Sequence, residues 1–160
     1  MWWSRRFVLG AGLAALTGCG FTPVYGPGGG GAALRGAIRV ADPDTDFEFA
    51  FVREFEARLG LPEAHRYELT YVVRTEEVEL AIDGSNNITR FNIEGDLTWS
   101  LMPVGSDTAK LTGVESSFTS YSATGSTIST LESERDAEQR LARILADKVV
   151  TRLLSQAADL

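Results

Sequence analysis

Tyr67-Glu68-Leu69-Thr70-Tyr71-Val72-Val73 opens a run, ending at Met102, in which apolar residues recur at every second position. A period of two is that of a strand with one buried face, because successive side chains point to opposite sides of a pleated backbone. Tyr67, Leu69, Tyr71 and Val73 share one face, after which the apolar set moves to Val78, Leu80 and Ile82. Across the Asp83-Gly84-Ser85-Asn86-Asn87 turn, Phe91, Ile93, Leu97, Trp99 and Leu101 keep a single phase. Two phases on one strand facing one phase on the other predict an inserted residue, a β-bulge between Arg74 and Glu77. The same reasoning places Leu69 near Trp99 and Tyr71 near Leu97.

Outward from this hairpin the period changes. Phe47, Phe51, Phe55 and Leu59 recur at intervals of four, one face of a helix, with Thr45 and Glu48 as a capping box and Gly60 as its stop. Leu34 to Ala41 fits a short first strand. After the Pro103–Asp107 turn, Lys110 to Tyr121 reads as a half-exposed last strand rich in Ser and Thr. Ser129 and Glu132 form a second capping box. They open a terminal helix to about Ala157, whose apolar stripe is Ala137, Leu141, Ile144, Leu145, Val149 and Leu153. Lys148 falls inside that stripe and is expected to snorkel outward. The order β-α-β-β-β-α predicts an α+β two-layer sandwich, a mostly antiparallel four-stranded sheet with two helices on one face.

The N-terminus has a different character. Arg5-Arg6 precede ten apolar residues, Phe7 to Leu16, and Leu16-Thr17-Gly18-Cys19 has the form of a bacterial lipobox. Ten apolar residues are too few to span a bilayer, which takes about 20. Residues 1–18 therefore read as a lipoprotein signal peptide, of the general secretory or the twin-arginine kind. Residues 19–33 read as a lipidated, Gly-rich tether, and residues 34–160 as the folded domain. Acyl chains on Cys19 would be the lasting membrane anchor. Phe21, Val24 and Tyr25 are too apolar for a pure spacer and are candidates to dock on a membrane or a partner.

Removing residues 1–18 takes away two arginines and no acid, so the formal charge moves from −7 to −9. Such an acidic domain is not a general nucleic-acid binder. Cys19 is the sole cysteine, which excludes a disulfide within the chain and a thiolate zinc site. His65, the sole histidine, lies in the loop Leu61–Arg66, and no nucleophile motif accompanies it. Glu76, Glu77 and Glu79 form the one dense acidic cluster, the candidate for a carboxylate-dependent hydrolase. Alternation with Val78, Leu80 and Ile82 explains them as well. No catalytic residue, metal site or cofactor is expected, and an interaction protein is the simpler reading; a carrier or chaperone holding a lipid between sheet and helices is its rival.

Three features carry a resemblance: Leu16-Thr17-Gly18-Cys19-Gly20-Phe21-Thr22-Pro23-Val24-Tyr25-Gly26, the element order, and the run from Tyr121 to Leu154. The chain resembles the lipopolysaccharide-assembly lipoprotein family LptE in its alphaproteobacterial form, departing from it in the glycine linker up to Gly31. That resemblance implies a lipid anchor at the periplasmic face of the outer membrane. It further implies a place inside an LptD-like β-barrel, a role in passing lipopolysaccharide outward, and no catalytic residues. A plug in a polar lumen needs hydrogen-bonding surface with aromatic anchors, for which Ser116, Thr119 and Tyr121 are the expected contacts. Lipopolysaccharide is anionic and needs a local cation on an acidic domain, for which Arg74, at the predicted bulge, and Arg90, opening the central strand, are the candidates. Glu76 can neutralise Arg74, so Arg90 is the stronger of the two.

Overall fold

The computed structural model describes Gly26, residues 30–82, Gly84 and residues 88–160. Cys19 and the segment around it lie outside the described residues. The elements run α1 (Gly30–Leu34), β1 (Ile38–Val40), α2 (Asp46–Leu59), β2 (Tyr67–Ile82), β3 (Ile88–Pro103), β4 (Leu111–Ser122) and α3 (Thr127–Ser155), closed by a 3-10 turn at Ala157–Asp159. The sheet order is β1-β2-β3-β4, with β1 parallel to β2 and the other pairs antiparallel. Both helices cover one face, as the two apolar stripes require, and the class is the expected α+β sandwich with a mixed sheet.

Local chemistry sets the boundaries. Thr45 caps α2 by accepting the Glu48 N–H at 3.2 Å, while the Glu48 carboxylate accepts the Asp44 N–H at 2.7 Å. Gly60 ends the helix at a φ of 84°, a conformation that favours glycine, and its N–H donates to the Glu56 carbonyl at 2.7 Å. The cap of α3 lies upstream of the predicted one: Ser126 accepts the Ser129 N–H, and the helix begins at Thr127. The first strand is shorter than expected, because Gly30–Leu34 forms a helical turn that buries Leu34.

The predicted bulge between Arg74 and Glu77 is absent. The β2–β3 register runs unbroken from Tyr67↔Pro103 to Glu79↔Phe91, pairing Leu69 with Leu101 and Tyr71 with Trp99, and shifts only between Glu79 and Ile82. Two phases coexist on β2 without an insertion because only its first half lies under the core. Tyr67 and Leu69 are buried, Thr75 and Glu77 are exposed, and Leu80 is exposed on the sheet's other side. Sixteen residues of strand span about 50 Å, against about 21 Å for the fourteen of α2, so the hairpin outruns that helix.

The core sits between the sheet and the helices. Phe51, Phe55, Leu69, Leu97, Trp99, Leu101, Leu141 and Leu145 are all at most 1% exposed. The stripe on α3 is broader than predicted, with Ala142, Ala146 and Val150 also buried, whereas Ile144 lies off it and is partly exposed. Two strand glycines make room on this face. At Gly95 a Cβ would stand 2.9 Å from Leu141 Cδ2, and at Gly113 it would stand 2.6 Å from Trp99 Cζ2. Gly113→Ala is therefore expected to displace the indole and cost about 1–3 kcal/mol, read as a lowered urea midpoint. An unchanged midpoint would show that the ring can move aside freely.

Candidate interaction surface

The face of the sheet away from the helices is built from the even-numbered positions of β2, β3 and β4. Register sets its rows: Val72–Thr98–Val114, then Arg74–Asp96–Ser116, then Glu76–Glu94–Phe118, then Val78–Asn92–Ser120. Ser116 donates to the Asp96 carboxylate, and Ser120 to the Asn92 side-chain amide oxygen, Oδ1, at 2.6 Å. Val72, Val114 and Phe118 are each about 60% exposed, so apolar side chains stand singly in a hydrogen-bonding field. Phe118 is the sole aromatic side chain in these rows.

The strand's alternation divides the three expected partner contacts. Ser116 lies on the open face. Thr119 and Tyr121 point the other way, toward the helices, because they differ from Ser116 by an odd number of residues. Thr119 is buried and donates its hydroxyl to the Ala137 carbonyl at 2.8 Å, tying β4 to α3. Tyr121 stacks on Phe91 at 5.2 Å and donates to the Glu77 carboxylate at 2.7 Å. Both candidate cations do lie on the open face, but six residues of ladder, about 20 Å, separate Arg90 from Asp96, the residue across from Arg74. Arg74 has Asp96 opposite and Glu76 along its strand, whereas Arg90 has Ser122 opposite. Arg90 is thus the less compensated of two separate charges.

The acidic cluster also splits by strand parity. Glu76 faces Glu94 on the open side, while Glu77 meets Tyr121 on the helix side. There Glu138 titrates above its usual range, because burial disfavours its charge and Glu134, Asp46 and Glu77 add repulsion, with Arg135 opposing. Burial and the bond to Glu77 likewise push the Tyr121 phenol upward. At the other end of the core, burial raises Tyr71 to about 12, helped by Glu48, Asp44 and Asp42. His65 stands 4.0 Å from Glu68 beside the start of β2, remote from the Glu77 group. Among the described residues no three His, Cys, Asp or Glu side chains are grouped to hold a metal, and no helix is long and apolar enough to cross a membrane.

A groove of about 350 Å³ lies outside the layer, lined by residues including Arg39, Phe49, Val52, Arg53 and Pro62. The layer itself is filled by the near-zero-exposure side chains of the core. What sequence reasoning missed is the contact of α3 with the outer edge of β4. Arg140 donates to the Ser120 carbonyl at 3.0 Å, Lys148 to the Ser116 carbonyl, and Arg152 approaches the Glu115 carboxylate at 3.4 Å. Lys148 does snorkel from its stripe, but onto a strand edge.

The described residues form a two-layer α+β domain with a closed core on one side of the sheet and a polar open face on the other. The chain belongs to the LptE lipopolysaccharide-assembly family, whose model matches residues 36–153. Its fold is similar to that of a candidate lipoprotein from Caulobacter crescentus CB15, with a TM-score of 0.67 at 15% identity, covering 81% of this chain and 95% of that one. It is also similar to rare lipoprotein B from Shewanella oneidensis, with a TM-score of 0.57 at 8% identity, covering 77% and 96% respectively. No curated protein matches the sequence.

The acidic group generates a pH prediction. Glu138 has its folded pKa raised above the ordinary 4.5, so its contribution to stability is present below that value and is lost as pH rises through the folded one. Glu138→Gln should therefore be more stable than the parent at pH 7, with the two converging in mild acid. Denaturant midpoints measured across that range check it, and a parent that is the more stable at neutral pH contradicts it.

Proposed function

We propose that this chain is a lipid-anchored, non-enzymatic lipoprotein of the outer membrane that seats in an LptD-like β-barrel and assists lipopolysaccharide assembly and transport. Membership of the LptE family over most of the domain carries the reading. The open sheet face supports it: rows of hydroxyl, amide and carboxylate groups with one aromatic anchor, Phe118, suit the polar wall of a barrel lumen. A filled core supports a plug over a lipid carrier, since a carrier needs an apolar interior site. Cys19 supplies the anchor and Gly20 the sorting signal, because an aspartate at that second position would commonly retain a lipoprotein at the inner membrane.

Two measurements test the seat and the anchor together. Mass spectrometry of the membrane-extracted chain should find an N-terminal, acylated Cys19, and a photo-crosslinker at Ser116 should capture an outer-membrane barrel. An unmodified Cys19 removes the anchor, and a Ser116 probe that captures no barrel removes this face from the contact.

The anionic ligand is assigned to Arg90 ahead of Arg74 on the compensation described above. Arg90→Glu should weaken binding of purified lipopolysaccharide several-fold, and Arg74→Glu should weaken it less, with circular dichroism unchanged in both. Equal binding by Arg90→Glu and the parent would take this arginine out of the site.

A further inference from the structure

The sheet has two outer edges, and they are treated differently. On one side β1 covers only Tyr67–Leu69 of β2, and among the described residues the remainder of β2 has no strand partner on that side. On the other, β4 offers twelve residues, and an edge of that length is a pairing hazard unless something occupies it. The inner hydrogen-bonding positions of β4 are the odd ones, as the Ala123 N–H donating to the Thr89 carbonyl indicates, so Ser116, Phe118 and Ser120 turn their backbone groups outward. Two of those three carbonyls are taken by side chains of α3, Ser116 by Lys148 and Ser120 by Arg140.

The spacing fits both elements. Arg140 and Lys148 are eight helical residues apart, about 12 Å along the axis. Ser116 and Ser120 are four strand residues apart, about 13 Å. Because α3 runs antiparallel to β4, the two cations meet the two carbonyls without distortion of either element.

Three outward positions reading Ser-Phe-Ser are also symmetric about their centre. A second copy brought up antiparallel by a two-fold axis at Phe118 sets Ser116 of each chain against Ser120 of the other, and Phe118 against Phe118. The hydrogen bonds of that ladder need the Ser116 and Ser120 carbonyls, the same two atoms the cations hold. We infer that β4 is a latent pairing edge for a second copy of this chain, which Arg140 and Lys148 keep closed by occupying its Ser120 and Ser116 carbonyls.

The test removes the donors and keeps the side-chain stems. In the full domain, Arg140→Met with Lys148→Met should double the weight-average mass by analytical ultracentrifugation across a concentration series in which the parent stays monomeric. Adding Phe118→Pro, which deletes one outward N–H and leaves the β3 ladder intact, should return that variant to monomer. Exchanging the donors, Arg140→Lys with Lys148→Arg, should leave the monomer undisturbed. A double Met variant that is folded and monomeric, a dimer that persists with Phe118→Pro, or a parent already paired would each overturn the inference. If the double variant does not fold, the single Met variants decide it: dimer from either supports the closed edge, and monomer from both refutes it.

Discussion

The structure depends on how closely α3 can lie on the middle of the sheet. Leu141 and Leu145 come down over Gly95, where any Cβ would already touch Leu141, and the small side chains Ala137, Ala142 and Ala146 bring the helix backbone near the strands. At interior packing density a side chain at Gly95 could not be absorbed locally. The helix would lift, and with it the Thr119 bond to Ala137, the Arg58–Asp147 pair at 2.7 Å that ties α2 to α3, and the cations along β4. Helix layer, sheet and strand edge therefore share one distance.

That closeness makes the two faces of the sheet chemically unlike. Under the helices the side chains are buried, and there Thr119 is paired with a main-chain carbonyl and Tyr121 with Glu77, while Tyr71 Oη and Trp99 Nε1 are buried without a hydrogen-bond partner among the described residues. The open side keeps hydroxyls and carboxylates at the surface, paired across strands within reach of any approaching molecule. Glu76 opposite Glu94 and Asp96 opposite Arg74 leave most of that side neutral or negative, with positive character concentrated toward Arg90 at the hairpin end. Charge along the face is therefore graded from one end to the other.

Periodicity made the two-layer fold legible, because the four-residue spacing of Phe47, Phe51, Phe55 and Leu59 and the alternation of β3 both arise from one-sided burial. The register of β2 was not legible. Its phase change at Val78 looks like an insertion only if the whole strand is taken to lie under the core, and nothing local in the sequence says where the helix layer ends. Gly30–Leu34 was hidden for another reason: glycines are poor helix formers, and this turn is held by contacts far along the chain. The separation of Ser116 from Thr119 and Tyr121 was present in the alternation and needed only a fixed parity. The edge contacts of Arg140 and Lys148 were beyond reach, since nothing in the sequence shows which strand edge the helix overhangs.

Gly30 enters the domain against Ala157, and the oxygen of Leu160 accepts from both Tyr67 and Lys110, so the two ends of the described fold meet beside the start of β2. Any pull on the chain from ahead of Gly30 is carried first by α1 and then by β1, a three-residue strand held to the sheet by a few parallel hydrogen bonds. The sixteen-residue hairpin strands and α3 lie behind that joint and bear load only after it gives. Tension applied there would act on the burial of Leu34 and Ile38 before it reached the open sheet face or the helix behind it.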